Sequence, residues 1–136
     1  MLTAQSTYEA LVIAVISVNN YPLQKAWDIR EALKSAGLFD PETLASIDRL
    51  DLVARLRTAG YDRGAFLTNL IASRLKSLGV FLANQGIGRA TSLLSSGTAD
   101  EVRGMLIKIK GVGDRVVENF LLLREHTAKS ATTHKA

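Results

Sequence analysis

Apolar residues recur along the chain at spacings of three and four, and no stretch alternates convincingly, so the pattern predicts an all-α fold. Ser6 followed by Glu9 reads as a capping box opening a helix with Leu11, Val12, Val15 and Ile16, apolar nearly all round and therefore central. Asn19-Asn20-Tyr21 ends it, and Pro22 starts a helix through Trp27, Ile29 and Leu33 to Gly37. Asp40-Pro41 repeats the cap-and-proline signal for a short helix through Leu44 and Ile47, and another is expected from about Asp51 to Thr58, ending at Gly60. Asp62 caps a long helix bearing Leu67, Leu70, Ile71, Leu75, Leu78 and Leu82, with Gly79 as its weak interior point. Beyond Gln85-Gly86-Ile87-Gly88 a short helix holds Ala90, Leu93 and Leu94. Thr98 with Glu101 forms a second capping box for a helix running from Val102 to Lys108, and a last helix starts near Asp114 with Val116, Val117, Phe120, Leu121 and Leu123. The expected architecture is a compact bundle of about seven to eight helices in one domain, 1–125, followed by a disordered basic tail, 126–136.

A chain of 136 residues buries enough surface for one core without staples. It contains no cysteine, which removes disulfides, iron–sulfur ligation and thiolate catalysis, and its only imidazoles are His126 and His134, so no metal or cofactor is expected. The longest apolar stretch, Ala10 to Ile16, is far shorter than the roughly 20 residues of a membrane span. Met1-Leu2-Thr3-Ala4-Gln5 lacks the basic region of a signal peptide, and the expected location is the cytoplasm, associated with the nucleoid. The net charge of +4 is compatible with a nucleic-acid partner without requiring one, so the placement of the cations matters more than their sum.

The most informative placement is Ile109-Lys110-Gly111-Val112-Gly113-Asp114-Arg115 between the last two helices. Glycines let the main chain approach a phosphate closely, and the free amides opening the following helix can point at its oxygens. Val112 would anchor the turn in the core, while Lys108, Lys110 and Arg115 surround it with positive charge and Asp114 caps the last helix. Such a contact reads the DNA backbone and not its bases. The plainer alternative is a tight inter-helix turn. Gly86-Ile87-Gly88 with Arg89 offers a second phosphate contact by the same physics, or simply a helix stop. Trp27 is expected in the core; Tyr61 and Arg63 could approach DNA, yet turn packing suffices to explain them.

From Tyr8 to Leu123 the chain resembles the helix-hairpin-helix DNA glycosylase superfamily, the endonuclease III-like group. Leu11 to Ser17 is similar to its central helix, and Ala59-Gly60-Tyr61 with Arg63 to its Gly-aromatic turn before a long helix. Lys110-Gly111-Val112-Gly113-Asp114-Arg115 stands in the place of its Pro-Gly-Val-Gly-Arg-Lys hairpin. The resemblance implies that a polar residue after the central helix, here Asn19 or Asn20, enters the duplex where a base has been flipped out; otherwise these residues stop one helix and cap the next.

Three departures bear on chemistry. Where bifunctional members carry a Schiff-base lysine this chain has Arg115, whose guanidinium does not deprotonate at usable pH, so a lyase mechanism is not expected. Counting on to the family's catalytic aspartate leads to Thr133, and none of Asp114, Glu118 and Glu125 is a convincing replacement. The second, terminal-helix domain that completes the family's cleft has no counterpart, and base flipping needs a pocket. The expectation is sequence-independent duplex DNA binding in base-excision repair or damage recognition, with no catalytic residue assigned. The alternatives are a glycosylase with unconventional residues or one completed by a partner chain or homodimer, and a helical protein-interaction module.

Overall fold

The computed structural model describes the backbone of residues 4–18 and 20–135 and the side chains of 7–18 and 20–125. Among the described residues the chain forms nine helices and no strand. They are α1 (Ala4–Ile16), α2 (Leu23–Asp28), α3 (Arg30–Ser35), α4 (Pro41–Ser46), α5 (Arg49–Thr58), α6 (Gly64–Gln85), α7 (Ile87–Ser96), α8 (Ala99–Leu106) and α9 (Asp114–Lys135).

Every residue from Ala10 to Ile16 is buried, and α1 packs against α2, α3, α6, α7 and α9, the central position its all-round apolarity dictates. The helix already runs at Ala4, so Ser6 and Glu9 lie within it and do not form its N-cap. The Glu9 carboxylate faces Arg30 of α3 at 3.9 Å. The expected helix from Pro22 to Leu33 is two helices, because Ile29 leaves helical geometry at ψ 13°.

Two other caps match their local signals. Asp40 accepts a hydrogen bond from Glu42 N at 3.1 Å ahead of Pro41. The Thr98–Glu101 capping box is present in both directions, and those bonds hold the exposed Glu101 carboxyl below the usual range. Both α3 and α5 end in Schellman motifs with Gly37 and Gly60 in the left-handed region. The second motif delivers Tyr61 directly into the core, where it is fully buried. Asp62 acts one step off its expected place: its Oδ1 takes the N–H of Gly64 at 3.0 Å, while Arg63 occupies the cap position of α6.

Gly79 is not a weak point. A Cβ built there would lie 2.7 Å from Ala45 N and 2.8 Å from Pro41 O, so the missing side chain is what lets α4 lie across α6. The ammonium of Lys76, one turn earlier, donates to the carbonyls of Ala45 and Ile47 at 3.0 and 2.7 Å and closes the C-terminus of α4. By length and composition α6 could cross a membrane, yet its apolar stripe from Ile71 to Leu82 is taken up by α4, α5 and α1, as expected of a core helix.

The last helix continues without a glycine or proline stop through the stretch read from sequence as a disordered tail. The side chains of 126–136 lie outside the described residues.

Candidate nucleic-acid interface

The connection between α8 and α9 folds as two apolar plugs around an exposed corner. Ile109 and Val112 are buried and linked by a 3.1 Å bond from Val112 N to Ile109 O, while Lys108, Lys110, Gly111, Gly113, Asp114 and Arg115 are exposed. The side chains that hold the turn are thus the apolar ones, and the remainder of it faces solvent. Gly111 sits at φ +86°, and a Cβ there would also meet Arg74 Cγ of α6 at 2.7 Å. Glycine therefore serves twice at 111, for the turn itself and for the passage of the Arg74 stem beside it.

Gly113 has a different role. Its carbonyl accepts the first bond of α9, from Val117 N at 3.3 Å, which makes it the N-cap residue. It is not in the left-handed region and a Cβ would meet nothing within 4 Å, so neither strain nor crowding demands glycine. Serine, aspartate or asparagine would cap the helix internally; glycine leaves the amides open to an outside acceptor. Among the described residues, the N–H groups of Lys110, Gly111, Gly113, Asp114 and Arg115 have no hydrogen-bond partner.

Asp114 is the first residue of α9, not its cap, and its carboxylate is bonded to Nη1 of Arg103 across the connection. That pairing offsets the one negative charge at a corner otherwise ringed by cations. None of Arg74, Lys108, Lys110 and Arg115 is paired with a carboxylate among the described residues, as Lys25, Lys34 and Arg89 elsewhere are not, whereas Arg30, Arg55, Arg57 and Arg103 are. Four cations unpaired with carboxylates thus stand around this corner.

Gly111, Gly113 and Arg115 form one wall of a groove of about 740 Å³ whose opposite wall is Ser17, Val18, Asn20 and Tyr21 beyond the end of α1. Asn20, at φ +70°, and the α8–α9 connection, about ninety residues apart in sequence, therefore line a single cleft. Asn19 lies outside the described residues. Val112 anchors the corner from within, and Lys108 and Lys110 open onto a different groove on the far side of it. No carboxylate lines the cleft among the described residues, and Glu118 is exposed on α9 outside it.

The wall opposite the hairpin is fixed by side chains that reach the last carbonyls of α1. Tyr61 donates its hydroxyl to Ile16 O at 2.8 Å, Asn119 donates to Ser17 O at 3.0 Å, and Arg63 donates to Val18 O at 2.6 Å. Burial raises the pKa of Tyr61, outweighing the lowering pull of Arg63, which keeps the phenol protonated and able to donate. Arg63 also lies over the Tyr21 ring at 5.1 Å, and Tyr21 meets Tyr61 edge-on at 4.8 Å. The Gly-aromatic turn is thus a brace for the cleft.

No family model, curated protein or solved structure matches the chain. What the site can do therefore rests on its own geometry.

Sequence reasoning missed Arg74 and Asn119. Each left a faint signal, a cation amid the apolar stripe of α6 and an amide one turn from Val116 and beside Phe120 on α9. Trp27, expected in the core, is partly buried against it under the Arg30 guanidinium at 4.5 Å. Gly88 and Arg89 sit in the first turn of α7, where a Cβ on Gly88 would meet nothing. Arg89 shares a separate groove with Glu101, away from the cleft.

Proposed function

We propose that this chain holds duplex DNA by its phosphate backbone, with the α8–α9 connection acting as a helix-hairpin-helix, in damage recognition or base-excision repair and without cleaving the glycosidic bond itself. The observation that carries this reading is the uncapped start of α9: free amides at Gly113, Asp114 and Arg115, a glycine where a capping side chain would be more stable, and the cations Arg74 and Arg115 beside them. Backbone amides and cations match phosphate oxygens and carry no base information, so binding should be indifferent to sequence.

A second reading, a base-excising enzyme, is favoured by the volume of the cleft and by Asn20 lining it together with Arg115. Against it stands the absence of a carboxylate among the described cleft residues, since departure of a base leaves a developing cation that an anionic neighbour would stabilise. Two measurements separate the readings. Affinities for unmodified duplexes of unrelated sequence should agree within about threefold, whereas one preferred sequence would contradict backbone recognition. Incubation with duplexes carrying oxidised, alkylated or deaminated bases, followed by cleavage of abasic sites, should yield no strand breaks; breaks would establish the enzyme.

A further inference from the structure

The hairpin corner has a second face. Gly111 and Gly113 border the cleft described above, but Ile109 and Lys110 border another groove, of about 570 Å³, that runs along α6. It is lined by Lys108 and Lys110, by Arg49 from the start of α5, and along α6 by Ser73, Ser77, Val80, Phe81 and Asn84. The three polar residues of α6 fall on one stripe, and from Ser73 to Asn84 the helix rises about 16 Å. No carboxylate lines this groove among the described residues.

The exposed cations Arg49, Lys108 and Lys110, with no carboxylate beside them among the described residues, argue for a polyanion and not for a single ion. The hydroxyl and amide groups of Ser73, Ser77 and Asn84 can donate hydrogen bonds to it, beside the apolar Val80 and Phe81. Lys76 adds positive charge from beneath although its ammonium is bound to the carbonyls of Ala45 and Ile47. Arg49 gives one N–H to Asn69 at 2.6 Å and keeps its other donors. A length of about 16 Å exceeds one phosphate and suits a run of them, at one per strand for every ~3.4 Å of duplex axis.

We infer that this groove along α6 is a second phosphate track for the same DNA, so that the duplex straddles the hairpin corner, with one stretch of backbone at the Arg115 side and another over Ser73, Ser77 and Arg49. This rests on the DNA reading above and extends it to a larger footprint, with residues that the hairpin alone does not require.

The test is a comparison of three proteins binding an unmodified duplex at several salt concentrations, each checked for an unchanged circular dichroism spectrum and unfolding midpoint. Arg49→Gln with Ser73→Glu lowers the charge of the groove by two units at exposed sites, one cation removed and one carboxylate added. Lys34→Gln with Ser92→Glu makes the same change in net charge at exposed positions lining neither the groove nor the cleft. Gly113→Asp reports on the hairpin. The groove pair should weaken binding about tenfold and make the salt slope shallower by about 1, while the control pair changes affinity by less than about twofold. Equal behaviour of groove and control pairs, with Gly113→Asp still impaired, would overturn the second track and leave the hairpin reading standing. Indifference to all three changes would overturn both. Should Arg49→Gln unfold the protein by losing Asn69, Ser73→Glu with Ser77→Glu gives the same comparison without touching that bond.

Discussion

Replacing Gly113 with aspartate is expected to weaken duplex binding by about 2 kcal/mol, roughly thirtyfold, while leaving thermal stability equal or a few tenths of a kcal/mol higher. The two effects have opposite signs because one position serves two competing acceptors. Aspartate is among the best N-cap residues, there is space for its Cβ, and the backbone there is not left-handed, so the fold gains a cap at no steric cost. The same carboxylate would occupy the amides of α9 and repel a phosphate approaching Arg115. Gly113→Ser should behave alike but more mildly, since it fills the site without adding charge. Gly111 is unsuited to this test: its φ of +86° and the nearby Arg74 stem would confound folding with binding. Fluorescence anisotropy with a labelled duplex, run beside a thermal melt, reads both quantities. Unchanged affinity in a folded Gly113→Asp protein would remove the hairpin from the binding surface.

Gly79→Ala should have the largest effect on stability. Helix propensity alone predicts a gain of about 1 kcal/mol for alanine over glycine in a helix interior. The packing predicts a loss of about 2 kcal/mol or more, since the new Cβ would sit 2.7 Å from Ala45 N and 2.8 Å from Pro41 O, backbone atoms that cannot rotate away. Accommodating it means lifting α4 from α6, which also strains the bonds from Lys76 to Ala45 and Ile47. Urea unfolding distinguishes the two directions plainly, and a midpoint raised by alanine would show that α4 does not lie on α6 as described.

These two glycines mark the boundary of what was legible in the sequence. Gly113 could be placed at a helix start because the turn signal is local, but the sequence reading puts the cap one position on, at Asp114, and the backbone at Gly113 is not left-handed. The signals are equally local at Asp40-Pro41 and at Thr98 with Glu101, whose partners lie within three residues. Gly79 was misread because its partner, α4, is more than thirty residues away and leaves no trace in the sequence of α6. Ser6 and Glu9 show the converse error: the spacing of a capping box also occurs inside a helix, and nothing local says that α1 has already begun.

The candidate site divides in the same way. Hairpin, Asn20 and Arg115 were legible one by one, but their meeting across one cleft depends on α1 and α9 packing side by side. That packing also gives Asn119, Tyr61 and Arg63 their work at the end of α1, and it separates Lys108 and Lys110 from Arg115 although all three lie within eight residues. A basic residue's neighbours in sequence therefore say little about which groove it charges.

The most direct measurement is the affinity of the intact protein for an undamaged duplex across about 50 to 200 mM salt. With Arg74, Arg115, Lys108 and Lys110 all uncommitted to carboxylates, log affinity should fall linearly with log salt with a slope of about −3 or steeper. A flat line, or no binding at the lowest salt, would contradict the account.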